Sequence, residues 1–229
     1  HLLRWVADRL VLLDEHGAAR GSDAPWLVLP ATEARVVALL LPMLREAGLS
    51  VAHLAASGGV VSHRVLPDSA AAPDVWLVTA DPAALGSTVD LQPHASVVLE
   101  AELPTAEVAD GPSAYQRVRH ACIYPSFNDE VRTLVEEAEV IDGARAIGLT
   151  LGAPGPSDVG LVENVVVDRA FHARRAVEAI ELFALADLQA RAGQAPLTTR
   201  DVLEAMAAAA LARSVGVAPE AILAGLTAG

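Results

Sequence analysis

No lysine occurs anywhere in the 229 residues; all sixteen basic side chains are arginine. Any chemistry that needs a lysine, whether to reach the outer phosphates of a nucleotide or to form a carbamate, is closed to such a chain. The heavy use of alanine beside it points to a GC-rich coding bias as well, so the absence does not by itself establish a lost function. Cysteine occurs once, at Cys122, which excludes an internal disulfide and fits a reducing, cytoplasmic setting, with Cys122 read as a core residue. Long apolar runs are missing too. Stretches such as Val36–Pro42 and Ala205–Ala212 fall well short of the roughly 20 residues that a membrane span needs. The opening residues lack a signal-peptide pattern, and the first is His1 rather than Met, which reads as an excised segment or a tag remnant. Positive charge is scarce and scattered against a net −13, so nucleic acid is excluded as a partner.

What is present is an alternation of short β-branched runs with helix-period segments, the pattern of a doubly wound, mostly parallel α/β sheet flanked by helices. Strands are expected near Trp26–Leu29, Val51–Ala55, Val75–Thr79, Ser96–Leu99, Ala121–Tyr124 and Arg145–Leu149. A helix is expected over Glu33–Ala47, stopped by Gly48 and interrupted by Pro42, whose missing N–H predicts a kink. Asp129–Val140 reads as a second helix, and Val159–Phe171 as a small antiparallel hairpin turning at Glu163-Asn164. Thr198 and Asp201 have capping-box spacing at the start of an Ala-rich helix that ends at Gly216, and Pro219 opens a last short helix.

The loop after the first of these strands is where a strand-loop-helix unit would hold phosphate on free backbone amides. It reads Leu29-Pro30-Ala31-Thr32-Glu33-Ala34-Arg35-Val36-Val37. A working phosphate loop needs glycines for close backbone approach, a lysine for the outer phosphates and a hydroxyl for magnesium. This loop has no glycine, and Glu33 places a negative charge where a phosphate should sit.

Asp23-Ala24-Pro25-Trp26-Leu27-Val28-Leu29 resembles the strand that leads into the ATP loop of the Mur ligase family, in its D-glutamate-adding, actinobacterial branch. The resemblance is stronger at Ala121-Cys122-Ile123-Tyr124, at Gly143 to Gly152, at Val165 to Phe171 and at Ala207 to Arg213, and it covers residues 23 to 226. It implies a central, ATP-binding type of domain over residues 23–229, with residues 1–22 as an N-terminal linker or helix. The family's Gly-Thr-Asn-Gly-Lys-Thr-Thr loop falls on Ala31, Thr32, Glu33, Ala34, Arg35, Val36 and Val37, where only Thr32 is kept. Its magnesium-binding Glu and following serines fall on Thr79, Ala80 and Asp81. The family's metal-binding His segment falls on Pro104, Thr105 and Glu107, and its carbamylated lysine has only Arg119 as a loose positional match. Its nucleotide-contacting Asn and Asp fall on Pro125 and Asn128, and its late His-Asn…Asn pattern on Arg200, Asp201 and Glu204.

These replacements lead to the expectation of a catalytically inactive ligase-like domain, without cofactor or metal, that binds, scaffolds or regulates in cell-wall synthesis through a protein partner or flanking domains. An active ATP-dependent ligase using Arg35, with ATP and magnesium, and an ATP-independent module for a cell-wall precursor stand as alternatives. The remaining polar residues carry bland readings. His53, His63, His94, His120 and His172 lack metal-ligand spacing. Glu100, Glu102, Glu107 and Asp110 are read as a solvated loop face, and Ser57-Gly58-Gly59-Val60 as a turn.

Overall fold

In the computed structural model, which describes residues 2–6, 9–13, 24–57, 60–65, 73–85, 88, 91–100 and 114–228, one strand pair comes first. Strands β1 (Leu2–Val6) and β2 (Arg9–Leu13) form an antiparallel hairpin. A linker or helix was expected there; the dense, branched and aromatic apolar residues of Leu-Leu-Arg-Trp-Val and Arg-Leu-Val-Leu-Leu suit paired strands instead.

The main chain fold then builds outward from β3 (Trp26–Pro30), which is buried along its whole length. Its alternate residues feed two different cores: Leu27 and Leu29 face one side of the sheet, Trp26 and Val28 the other. A strand buried on both faces reads as a continuous apolar run, as this one does. Helix α1 (Ala34–Glu46) follows after a single 3-10 turn and runs unbroken through Pro42 to Glu46, beyond which Gly48 turns the chain with a φ of 75° that only glycine adopts freely. Strands β4 (Val51–Ser57) and β5 (Val60–Val65) form an antiparallel hairpin across the Ser57 turn, and β6 (Val75–Ala80) returns parallel to both β3 and β4. Gly58 and Gly59 of that turn lie outside the described residues. The indoles of Trp26 and Trp76, paired in register, stack at 4.8 Å.

A short helix α2 (Pro82–Leu85) leads towards β7 (Ala95–Val97) and β8 (Ala121–Pro125), then α3 (Asp129–Glu136) and β9 (Arg145–Thr150). The hairpin of β10 (Asp158–Val162) and β11 (Val165–Asp168) turns at Glu163, which takes φ 53°. Strand β12 (Ile180–Ala184) joins β11, followed by α4 (Leu185–Ala192), α5 (Thr199–Ser214) and α6 (Pro219–Thr227). Among the described residues ten strands form one sheet in the order β12-β11-β10-β9-β8-β7-β3-β6-β4-β5, parallel from β10 to β4 and antiparallel at both ends. The doubly wound expectation is met.

Helix α5 packs on the sheet with α1 and α6, and is buried nearly all round from Asp201 to Ala212. A helix apolar on every side belongs in a core, and the alanines let strands and helices approach it closely. Its far end is tied down by Arg213, whose Nε donates to the fully buried Asp168 at 2.8 Å while that carboxylate also accepts from the amides of Ala170 and Phe171. Cys122 is buried, and burial pushes its thiol up to about 12, as a core reading requires. Two of the boundaries that differ from the sequence reading have a visible cause. Helix α3 stops at Glu136 rather than Val140, because Gln116 accepts from the Glu139 amide and the Glu139 carbonyl accepts from Arg117. Strand β7 ends at Val97, where the Val98 amide is shared between Tyr115 Oη and the Ile123 carbonyl and the Leu99 amide turns to the Glu33 carboxylate.

Candidate functional site

The carboxyl end of β3 is the place where a sheet of this kind presents ligands. Here the chain leaves Pro30 straight into the 3-10 turn Ala31–Glu33 and then α1, with no wider loop between strand and helix. Ala31, Thr32, Ala34 and Arg35 face outward, whereas Glu33, Val36 and Val37 turn inward. Glu33 is only 1 % exposed. It occupies the N-cap of α1 without capping it; instead Oε1 accepts from the Leu99 amide at 3.2 Å and Oε2 from Arg200 Nη2 at 2.6 Å. An internal carboxylate therefore sits at the helix end that would otherwise attract an external anion.

Arg200 and its neighbours come from the first turn of α5, held in position by the capping box. The Thr198 hydroxyl and amide donate to Asp201 Oδ2 at 2.6 and 2.7 Å, and the Asp201 amide donates back to Thr198 Oγ1 at 3.2 Å. From there Arg200 spans three carboxylates: Glu33, Glu204 through Nε at 2.8 Å, and Glu100 through Nη1 at 2.9 Å. Arg35, the second residue of α1, meets Asp201 Oδ1 at 2.5 Å, and its Nε stands 3.4 Å from Glu204 Oε2. That last oxygen is buried and has an ion-pair distance without a hydrogen bond.

The structure thus joins Glu33, Arg35, Arg200, Asp201 and Glu204, five residues from two segments far apart in sequence, into one network with Glu100. Glu100 remains largely exposed, as a solvated loop face implies, yet it is the network's outer carboxylate. Four carboxylates face two guanidiniums, a formal charge of −2. Burial raises the Glu33 carboxyl above its ordinary value, outweighing Arg200 and the Leu99 amide, which lower it. The hydroxyl and amide of Thr198 hold Asp201 below its ordinary value, with a smaller contribution from Arg35.

Other candidate positions are spoken for locally. Thr79 Oγ1 donates to the Leu54 carbonyl and lies 3.2 Å from His53 Nε2. Asp81 accepts from the Ser57 hydroxyl at 2.7 Å and from the Ala84 amide at 2.8 Å, which seats α2. Pro125 ends β8, and Asn128 caps α3 by accepting from the amides of Glu130 and Val131. Pro104, Thr105, Glu107, Glu102 and Asp110 lie outside the described residues. Among the described residues no three His, Cys, Asp or Glu side chains group to hold a metal ion, and no helix is long and apolar enough to cross a membrane. Phe127, Leu151 and Val162 are exposed at the carboxyl ends of the adjacent strands β8, β9 and β10. Sequence reasoning missed the pairing of Arg35 with α5. The signal available was the charge pattern itself, since Arg200 and Glu204 are spaced i,i+4.

No protein-family model matches the chain. It is 35 % identical over 216 residues to the UDP-N-acetylmuramoylalanine–D-glutamate ligase of Streptomyces avermitilis, covering 90 % of this chain and 44 % of that protein. The same-named ligase of Streptomyces coelicolor is 34 % identical over 215 residues, and that of Thermobifida fusca 33 % over 216, again covering 90 % of this chain. Among solved structures, E. coli FolC in complex with DHPP and ADP superposes with a TM-score of 0.54 at 16 % identity, covering 91 % of this chain and 57 % of that one. A pseudomurein peptide ligase type C from Methanothermus fervidus gives 0.55 at 12 %, covering 90 % and 50 %. At such identities these two establish the shared fold alone. The chain spans a little under half the length of the curated relatives it matches, and it is a Mur-ligase-like domain, homologous to the actinobacterial UDP-N-acetylmuramoylalanine–D-glutamate ligases.

Proposed function

We propose that this chain is a catalytically silent ligase-like domain that serves cell-wall synthesis by binding or scaffolding, through a protein partner or the remainder of a longer polypeptide. The observation that carries the reading is Glu33, a buried carboxylate at the N-terminus of α1 already bonded to Leu99 and Arg200. ATP and magnesium, which the fold family implies, do not fit these residues. A phosphate brought to this helix end would have to displace Glu33 from the Leu99 amide and compete with it for Arg200. Arg35 offers no remedy, because its guanidinium is engaged by Asp201 and Glu204. Removing loop lysine, glycines and metal ligands together withdraws the charge stabilisation on which phosphoryl transfer depends. The names of the relatives support the link to the cell wall, and the exposed Phe127, Leu151 and Val162 offer apolar surface to a protein partner.

The test is ligation by the full-length gene product, supplied with ATP, magnesium, UDP-N-acetylmuramoylalanine and D-glutamate beside the Streptomyces avermitilis enzyme. The expected outcome is no product above the blank. Turnover at even a hundredth of the control rate would establish the active-ligase alternative instead.

A further inference from the structure

The opposite end of the sheet carries a cleft that no part of the foregoing uses. Trp26, Gln92, His94, Arg119, His120 and Ser214 are among the residues lining a cavity of about 460 Å3, where the chain enters β3, β7 and β8 and where α5 ends. Its size lies within the range of small-molecule sites.

The charge here runs against the rest of the molecule. The His94 and His120 rings stack at 4.7 Å, the Phe171 ring lies 6.1 Å from His120, and the Arg145 guanidinium stands over the Phe171 ring, 5.7 Å from its centroid. Arg119 is exposed and has no carboxylate partner among the described residues. Asp168, the acid that acts on Arg145, is already consumed by Arg213 and two backbone amides, and Arg175 adds further positive charge near Arg145. In a chain of net −13 the described lining residues thus set Arg119 beside His94 and His120, with no carboxylate among them, and Arg145 stands behind them across the Phe171 ring.

The terminal carbonyl of α5, which would repel an anion, is already occupied. Ser214 O lies 2.8 Å from His94 Nε2, and since a carbonyl only accepts, that nitrogen carries the proton. We propose that this cleft binds a small oxyanion, a phosphate or carboxylate group on a molecule of metabolite size, with Arg119 as the fixed charge and the stacked histidines as a proton-linked second contact. Burial, with His94 and Arg145 adding to it, holds His120 below its ordinary value, and an anion beside the ring would favour its protonation.

The experiment follows the ring C2–H signals of His94 and His120 in the 229-residue chain by NMR. Inorganic phosphate is added in one arm and acetate in another, each against sodium chloride of equal ionic strength. The expected result is a saturable shift of both rings, an upward move of the His120 titration midpoint, and at least a tenfold weakening in Arg119→Ala, which removes an exposed side chain and leaves the fold intact. Saturation by phosphate alone assigns a phosphate group, by acetate alone a carboxylate, and by both a general oxyanion site. Absence of saturation in both arms, or an unchanged response in Arg119→Ala, overturns the proposal.

Discussion

Glu33 and Asp201 bear the same functional group within one network, yet their surroundings drive them apart. Burial dominates at Glu33 and raises its carboxyl; hydrogen bonds from Thr198 dominate at Asp201 and lower it. The linkage follows directly. The stability tied to Glu33 is fully present below its unfolded value near 4.5 and is lost as pH rises through the folded value. That tied to Asp201 is present above 3.8 and is lost as pH falls through its folded value. Glu33→Gln, which keeps an acceptor for the Leu99 amide, should therefore gain stability relative to the parent as pH rises above 4.5. Asp201→Asn should be less stable than the parent at neutral pH, with the deficit closing below 3.8. Urea denaturation between pH 3 and 8 checks both, and parallel curves for parent and variants would remove the assignment of opposed shifts.

At the scale of elements, α6 packs tightly on α1 at Gly225. A Cβ placed on Gly225 would run into the backbone Cα and N of Met43 and come within 2.7 Å of the Pro42 carbonyl carbon. Gly225→Ala would gain helix propensity of up to about 1 kcal/mol, but backbone cannot move aside as a flexible side chain can. We expect a net loss of about 1–3 kcal/mol, seen as a Tm lower by several degrees in calorimetry. A Tm equal to the parent's would show that the helices can separate without cost. How far these elements were readable in sequence depended on whether local signals governed them. The β3–α1 unit, the Glu163 turn and the Thr198–Asp201 box were legible because strand composition, turn and cap are set by neighbouring residues. Strand β12 and helix α4 were not: Ile-Glu-Leu-Phe-Ala is a short apolar run with no clear period, and α4 is seated by Asp187 accepting from the Ala184 amide. The site was half legible. Glu33 stood out as a misplaced charge, but its partners lie in α5 and in the segment after β7, and only the folded sheet brings them to it.

For the whole molecule, the sheet separates two ends of contrasting chemistry. Its carboxyl end at β3 holds a surplus of carboxylates and an internal ion network, while the amino end of β3, β7 and β8 gathers histidine and arginine. A net charge of −13 reinforces the first and sets off the second. On the function proposed above, Glu33 and its partners take the place that a nucleotide would occupy at the N-terminus of α1. Calorimetric titration of the 229-residue chain with Mg-ATP tests it most directly. No saturable heat is expected up to millimolar nucleotide; a one-to-one isotherm with Kd below about 100 µM, roughly −5.5 kcal/mol, abolished in Arg35→Ala, would overturn that reading.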